Sequence, residues 1–213
     1  SLNPVDVALG SLNGNGETGG DITRTQAGSL TTTGDFSVAS LIQSIGGGGG
    51  VANVQIDAVD QSNLRARPNL GSVGGTNLGA GNVSATTIGD VLTTGDAGTG
   101  LVMQSIGAGG GQVMIAGVDR VGVTLGAENG ANGDGGAITL AQNGHIQTLG
   151  NRSHGVLLQS IGGGGGAVFT DAADLDYQLV ADNSGDGGAI SFTQTGNVLA
   201  AGEGAFGIIA QSL

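Results

Sequence analysis

The chain of 213 residues contains no cysteine, no lysine and no tryptophan, and these absences narrow its chemistry. Without cysteine it forms neither disulfides nor thiolate metal sites. Aromatic residues make up only 2% of the chain, so we do not expect a globular core built on large rings. No stretch approaches the roughly eighteen apolar residues of a membrane-spanning helix, so we expect no membrane insertion by this segment.

Positive charge is also scarce, because five arginines face seventeen acidic residues and the formal net charge is -12. Nucleic acids and anionic membranes carry negative charge themselves, so neither is an expected partner. Glycine supplies 47 residues, but there are only two prolines and no strict Gly-X-Y period, which excludes collagen. Apolar residues still make up 38% of the chain, enough to form a packed core.

The glycines belong to an internal repeat. The string QSIGGGGG occupies positions 43–50 and 159–166, QSIGAGGG occupies 104–111, and the chain ends on AQSL. The glutamines of these strings are 61, 55 and 52 residues apart, and the 24 residues before each one align without a gap. The aligned apolar columns are Ile22, Val83, Ile138 and Ile190; Leu30, Val91, Ile146 and Val198; Leu41, Val102, Leu157 and Ile209; and Ile45, Ile106, Ile161 and Leu213.

The repeat predicts an all-β chain. Short apolar segments with alternating or β-branched residues, bounded by glycine, are typical of strands, and no window has a helical period. Strands repeated in register predict a parallel β-solenoid (β-helix) with variable glycine-bounded inserts or hairpins. Solenoid coils usually take about 20 to 30 residues. Each longer repeat therefore contains either two coils or one coil with a protruding hairpin, and the sequence leaves both open.

We expect residues 1–213 to be a single solenoid fragment of a longer repeat array, because neither end resembles a capping repeat. Only the segments after the glycine runs vary in length, as loops or hairpins on one side of a scaffold do. The predicted repeat cores are 19–50, 80–111, 135–166 and 187–213. The predicted inserts are 1–18, 51–79, 112–134 and 167–186.

The QSIG strings supply the candidate structural residues. The strand LLQSI is apolar on both faces, so we expect it to be covered on both sides and its buried glutamine amide to need partners. Turn backbone is the expected partner, although one coil per repeat would let the amides stack as a ladder. The glycines let another backbone approach closely or turn a tight corner, or they form a disordered tether. The predicted structural residues are Gln43, Gln104, Gln159, Gln211, Gly46, Gly107 and Gly162.

Known catalytic patterns are not matched. A phosphate-binding loop needs a lysine and a Ser or Thr after its glycines, and this chain offers neither. His145 and His154 have no second imidazole at ligand spacing, and the equivalent positions of the other repeats do not keep histidine. We therefore predict no enzyme, no catalytic residue and no cofactor.

One group of acids remains as a candidate metal site. Asp171, Asp174 and Asp176 lie close together in the sequence, and hard cations such as calcium bind clustered carboxylates. The tandem nonapeptide GGxGxDxUx of calcium-binding solenoids is not reproduced. Calcium is thus the one cofactor that these residues suggest, and the alternative is that they are solvated turn acids.

The stretch GDGGAITLAQNGHIQTLGNRSHGVLLQSIGGGGG, with its shorter copies, resembles repeats in the passenger regions of large Gram-negative autotransporters. The resemblance covers essentially the whole chain. It implies an extracellular or cell-surface β-helix involved in adhesion, aggregation or biofilm formation, without catalytic residues. The outer-membrane barrel and the secretion signal of that family are missing from this sequence, as expected of an internal segment.

Three functions are compatible with the sequence. The first is a rigid extracellular spacer whose inserts contact other copies of itself or host and bacterial surface components. The second is a fibre subunit that stacks end to end, because open solenoid ends expose unpaired strands. The third is a polysaccharide-acting enzyme with its site in an insert. That enzyme requires acids or arginines clustered on one exposed strand face, whereas the five arginines look scattered and none recurs by column.

Overall fold

The computed structural model describes residues 5–13, 18–56, 64–181 and 185–213, and all regular secondary structure in this part is β. It also contains no helix long and apolar enough to cross a membrane. The strands are β1 (Val5–Leu9), β2 (Ile22–Ala27), β3 (Leu30–Thr32), β4 (Val38–Ile45), β5 (Gly50–Gln55), β6 (Arg65–Leu70), β7 (Val83–Ile88), β8 (Val91–Thr93), β9 (Thr99–Ile106), β10 (Gly111–Ala116), β11 (Arg120–Ala127), β12 (Ile138–Asn143), β13 (Ile146–Thr148), β14 (Val156–Ile161), β15 (Gly166–Thr170), β16 (Asp174–Ala181), β17 (Ile190–Thr195), β18 (Val198–Ala200) and β19 (Ile208–Ser212).

Strands five apart in the sequence pair side by side, so the strands form five parallel sheets. Sheet I contains β2, β7, β12 and β17, and sheet II contains β3, β8, β13 and β18. Sheet III contains β4, β9, β14 and β19, and sheet IV contains β5, β10 and β15. Sheet V contains β1, β6, β11 and β16. The predicted parallel β-solenoid is confirmed.

Each repeat forms one coil of the solenoid. Ile138 pairs with Val83 on one side and with Ile190 on the other, and Ile22 pairs with Val83. Neighbouring strands of one sheet therefore come from consecutive repeats, and no other strand lies between them. Of the two open alternatives, two coils per repeat is wrong.

Among the described residues the inserts are part of the coil, and their strands do not pair with each other as hairpins. In the described part of the chain β5 pairs with β10, whereas β6 pairs with β1 and β11. An apolar stretch begins at the same offset after each glycine run, so Val51, Gln112 and Ala167 fall in register. Parallel pairing with the next coil therefore replaces the expected protruding hairpin.

The described part of the coil encloses two large cores and a small third cluster made of Leu78, Ala108, Ala127 and Ala131. Sheets I, II and III form a three-sheet lobe whose core includes Ile138, Leu140, Ile146 and Leu158. Sheets IV and V form a two-sheet lobe, and its core residues are Ala52, Ala66, Leu70, Val113, Ile115, Val118, Val121, Val123 and Leu125. Burying an aliphatic side chain of this size contributes about 1.5 to 3 kcal/mol, so the stacked columns account for most of the stabilisation.

The two central strands of sheet III, β9 and β14, are covered on both faces. Every residue of β9 and β14 is buried. Leu158 packs in the core of the three-sheet lobe, while the alternation along the strand directs Leu157 and Gln159 to the opposite face. That face meets the start of sheet IV, because a methyl group placed on Gly50 would lie 3.5 Å from Gln43 Nε2. The predicted two-sided burial of this strand is confirmed.

Candidate functional site

The four glutamines of the QSI strings form one continuous ladder. Gln43 Nε2 donates a hydrogen bond to Gln104 Oε1 at 2.6 Å, and Gln104 Nε2 donates to Gln159 Oε1 at 2.6 Å. Gln159 Nε2 donates to Gln211 Oε1 at 2.7 Å. The two central side chains are completely buried. The amides are thus satisfied by each other and not by turn backbone, which was the expected partner.

The serine of the QSI string closes the three-sheet lobe. Ser105 Oγ donates to the carbonyl of Gly81, where the same coil began, at 2.8 Å. It also accepts a 2.7 Å hydrogen bond from the backbone N–H of Gly136 in the next coil. Ser44 and Ser160 make the same pair of contacts in their own coils. Sequence reasoning missed this role, although the constant 24-residue offset between glycine and serine indicates it.

The glycine runs are ordered and stacked on each other. Gly47 N–H donates to the carbonyl of Gly107 at 3.0 Å, and Gly49 N–H donates to that of Gly109 at 3.0 Å. Sideways, the carbonyl of Gly47 accepts from Ser11 N–H at 2.7 Å, at the end of sheet V. Backbone groups of the run are therefore satisfied in two directions, and the disordered-tether alternative is wrong.

The first glycine of each run lies where the chain crosses itself. A side chain on Gly46 would collide with the carbonyls of Leu78 and Gly79, which return from the two-sheet lobe to the next coil. Gly107 meets Gly133 in the same way, and Gly162 meets Gly185. Glycine is needed here because the two backbones pass closer than any Cβ allows. The two lobes therefore meet in close backbone packing at this crossing.

At one corner of the coil, equivalent positions carry different side chains that accept the same backbone hydrogen bond. Asp90 N–H donates to Ser29 Oγ at 3.3 Å, and His145 N–H donates to Asp90 Oδ1 at 2.7 Å. Asn197 N–H then donates to His145 Nδ1 at 3.1 Å. Each side chain accepts a hydrogen bond from the equivalent backbone amide of the next coil. The column keeps an acceptor and not an imidazole, which explains why histidine is not repeated.

A second corner column explains some of the acidic residues. Asp35 Oδ1 accepts from Asp96 N–H at 2.9 Å, Asp96 Oδ1 from Asn151 N–H at 2.8 Å, and Asn151 Oδ1 from Glu203 N–H at 3.1 Å. The residue that follows in each coil has a positive φ between 53° and 67°, which forms the turn into sheet III: Phe36, Ala97, Arg152 and Gly204. Short carboxylates are well suited to such turns because they accept backbone hydrogen bonds.

His154 is the one buried ionisable group among the described residues that stands out. Its ring lies 4.1 Å from that of Phe169, and its Nδ1 accepts from Phe206 N–H at 3.1 Å. In the described part of the chain its Nε2 has no hydrogen-bond partner. Burial lowers the pKa of His154 to about 4, because the charged form would lose its hydration. The imidazole is thus held neutral between two phenylalanines.

The predicted calcium ligands are engaged elsewhere or point to solvent. Asp171 Oδ1 accepts from Gly117 N–H at 3.2 Å, and Asp174 Oδ2 lies 3.7 Å from Arg120 Nε. Asp176 is exposed on the same face of β16 as Asp174. Over the described residues, no three His, Cys, Asp or Glu side chains come together in a way that could hold a metal ion. Asp171, Asp174 and Asp176 are thus not gathered into one such cluster, and calcium binding by them stays a prediction from the sequence.

The arginines are not scattered, which corrects the interpretation of the sequence. Arg65 and Arg120 are register partners in sheet V, and Arg120 pairs in turn with Asp174. Arg67 lies two residues along from Arg65, so three of the five arginines share one exposed strand face. Alignment of the repeats by sequence position did not place Arg65 and Arg120 in one column, because β6 and β11 lie in inserts of different length.

Comparison of the chain with protein-family models, with curated proteins and with solved structures finds no match. The functional argument therefore depends on the geometry described above. That geometry has two parts, an interior that fixes each coil to the next and an exterior that presents charged side chains at coil spacing. The interior can supply rigidity, and the outer face of sheet V can supply contacts to a partner.

Proposed function

We propose that this chain is a non-enzymatic, extracellular structural and adhesive β-helix segment that acts as a rigid spacer and interaction surface. The observation that supports the proposal is the QSIG junction, where glutamine, serine and glycine backbone each bond to the next coil. These bonds repeat at every coil, so the step along the axis is constant and the stack resists bending.

The spacer acts through geometry. Parallel strands are about 4.8 Å apart, so each repeat lengthens the rod by that amount while it adds one more row of outward side chains. In an adhesive role the rod carries its lateral faces away from the cell and presents them at regular intervals. The proposed location is the outside or surface of a Gram-negative bacterium. The proposed partners are other copies of the chain or components of host and bacterial surfaces, and neither nucleic acid nor a membrane interior.

A series of tandem arrays tests the spacer. Arrays with increasing numbers of repeats are purified, and their maximum dimension is measured by small-angle X-ray scattering and electron microscopy. We expect the length to grow linearly, by about 4.8 Å for each added repeat. Growth with the square root of the number of residues, as in a flexible chain, contradicts the proposal.

Attachment is tested separately from rigidity. The chain is displayed on a non-adherent bacterial strain, and aggregation and binding to host cells are counted. We expect both to rise above the level of cells that display an unrelated β-solenoid of similar length and charge. Attachment equal to that control contradicts the adhesive role, while the scattering experiment still decides the spacer role.

A second candidate function is a fibre subunit that stacks end to end. Parallel backbone pairing runs from coil to coil through all five sheets, so a second copy can add to the stack by the same pairing. Filaments that lengthen with protein concentration in electron micrographs support the fibre. A monomer that persists at high concentration in sedimentation experiments contradicts it.

A further inference from the structure

The outer face of sheet V gathers three of the five arginines of a strongly acidic protein, beside the acids Asp6, Asp174 and Asp176. The chain has five arginines and a net charge of -12, yet Arg65, Arg67 and Arg120 all project from this one face. Arg65 and Arg67 are exposed and alternate with the buried residues Ala66 and Pro68. Their side chains therefore leave the sheet in parallel, about 6.6 Å apart along the strand.

A notch lies beside these arginines. In the stack of coils, Gly122 lies between Arg67 of the preceding coil and Asp176 of the next. No neighbouring atom lies within 4 Å of the position that a Cβ atom on Gly122 would occupy. Because glycine leaves this place empty, an open groove of about 210 Å³ reaches from Arg65 and Arg120 to the notch. A second groove of about 240 Å³ continues from the notch along the strands, lined by Asn69, Thr124 and Gln178.

The arginines of this face differ in their partners. Arg120 Nε lies 3.7 Å from carboxylate oxygens of both Asp119 and Asp174, so its charge is already compensated. Within the described ranges, Arg65 and Arg67 have no carboxylate within salt-bridge distance. Asp6 is the register neighbour of Arg67 in the preceding coil, but no ion pair joins the two among the described residues. Two guanidinium groups outside any described ion pair thus border a groove whose other groups are neutral amides, a hydroxyl and carboxylates.

We propose that this groove binds a carboxylate-bearing oligosaccharide of the uronate type. Guanidinium groups bind carboxylates in a bidentate fork, so Arg65 and Arg67 recognise the acidic group. The Asp176 carboxylate accepts hydrogen bonds from sugar hydroxyls, and Asn69, Thr124 and Gln178 both donate and accept them. The inference rests on the proposed role as an interaction surface, and it names the partner that one face of that surface takes.

Charge selects this ligand against two others. A neutral oligosaccharide offers nothing to compensate Arg65 and Arg67. A polyanion without hydroxyl groups, such as polyphosphate, meets the same repulsion from Asp174 and Asp176 as a uronate does, but it has no hydroxyl group that could donate a hydrogen bond to them. A uronate has both the carboxylate and the hydroxyls, so it satisfies both kinds of group in the groove.

The test is a calorimetric titration of the whole chain with hexagalacturonate at low ionic strength. The key variant is Gly122→Glu, which fills the notch and adds a negative charge next to Arg67. Its matched control is Gly20→Glu, which makes the same change of charge at another glycine whose Cβ position is open. We expect binding to weaken at least tenfold in Gly122→Glu and to change less than twofold in Gly20→Glu.

A second pair of variants tests the arginines. The double variant Arg65→Gln, Arg67→Gln is expected to lose binding, whereas Arg152→Gln, on another part of the surface, keeps it. Circular dichroism verifies that each variant is folded. Binding of hexagalacturonate should also weaken as salt is added, because ionic strength screens exposed charges.

Several results would overturn the inference. The first is that the unaltered chain does not bind hexagalacturonate. The second is that Gly122→Glu and Gly20→Glu lose the same amount of affinity for it. The third is that polyphosphate, or an uncharged hexasaccharide, binds as tightly as hexagalacturonate does. Failure of this titration leaves the rod length and the attachment assays unchanged. If those assays succeed while the uronate does not bind, only the identity of the partner is wrong.

Discussion

Gln104 donates a hydrogen bond through Nε2 to Oε1 of Gln159, 55 residues further along the chain, at a distance of 2.6 Å. Both side chains are completely buried between the two lobes. An amide in such a place must find a partner of matching geometry, and an identical amide one coil away provides it. The ladder therefore favours the same register in every coil.

Removal of one ladder member should be costly. Gln104→Ala leaves Gln43 Nε2 without its acceptor and Gln159 Oε1 without its donor. We expect the free energy of unfolding to fall by about 2 to 4 kcal/mol, because each unsatisfied buried group costs about 1 to 3 kcal/mol. The control Gln211→Ala affects one hydrogen bond at the end of the ladder and should cost less than half as much. Urea unfolding monitored by circular dichroism measures both, and equal losses would contradict the ladder.

The serine closure predicts a similar contrast. Ser105→Ala removes a hydroxyl that is fully buried and bonds to Gly81 and Gly136. We expect a loss of about 1 to 3 kcal/mol in the free energy of unfolding. Ser212 donates to the carbonyl of Gly188 but is exposed, so Ser212→Ala should cost below about 0.5 kcal/mol. Indistinguishable midpoints for the two variants in urea would show that the closure adds little stability.

The close packing of the glycine runs predicts which glycines accept a methyl group. A methyl on Gly109 would lie 2.6 Å from Ile161 Cγ2 and 2.9 Å from the carbonyl oxygen of Gly162. Gly109→Ala should therefore destabilise the chain by about 1 to 3 kcal/mol through overpacking. Gly122→Ala, in open space, should change stability by about 0.5 kcal/mol or less. Thermal melting distinguishes the two, and a stable Gly109→Ala variant would mean that the stacked backbones can separate.

One buried glutamine is expected to cost stability. Gln112 is completely buried, and neither Nε2 nor Oε1 has a partner among the described residues. Its column neighbours in the coils on either side are Val51 and Ala167. Gln112→Val should therefore raise the free energy of unfolding by about 1 to 3 kcal/mol.

A matched glutamine provides the control for that variant. Gln142 is equally buried, but its Nε2 donates to the carbonyl of Gly89 at 2.8 Å. Gln142→Val should lower the free energy of unfolding. The same denaturant series measures both variants, and a destabilised Gln112→Val would show that its amide is in fact satisfied.

The stability of the chain should depend on pH through His154. Its pKa is about 4 in the folded chain because of burial, against an ordinary value of 6.5. The unfolded state thus binds a proton between these values while the folded state does not, so stability falls as pH falls from 6.5 to 4. The loss attributable to His154 is about 2 to 3 kcal/mol.

The variant His154→Val, which places the residue of the equivalent position Val38 there, should remove that part of the pH dependence. Unfolding midpoints are measured between pH 4 and pH 8 for the unaltered chain and for His154→Val. The slope below pH 6.5 should flatten in His154→Val. A parallel slope in the two chains would contradict the assignment of the pH dependence to His154.

The parallel coil and the register of its apolar columns could be inferred from the sequence. The columns that contain Ile138 and Ile146 follow from alignment of the repeats alone, and they pair as expected. The two-sided burial of Gln159 was also predictable, because its neighbours are apolar at both odd and even positions. These features depend on the order of residues within one short strand, which the sequence displays directly.

The partners of these residues could not be inferred in the same way. The ladder from Gln43 to Gln211 requires one coil per repeat, and a repeat of 52 to 61 residues permits other numbers. The shared role of Asp90 and His145 could not be recognised from residue types. Both side chains provide an atom that accepts a hydrogen bond from the backbone of the next coil, and only this acceptor recurs at the corner.

The sequence by itself determined that this chain is β-structured, repetitive and coiled, because strand propensity, glycine corners and matched apolar columns are local properties. Only the tertiary structure decided that the inserts form a second lobe and that Arg65, Arg67 and Arg120 share one face. The physical reason is that parallel pairing joins residues a full coil apart. Inserts of unequal length place such residues in register in space, although no alignment of the linear sequence brings them together.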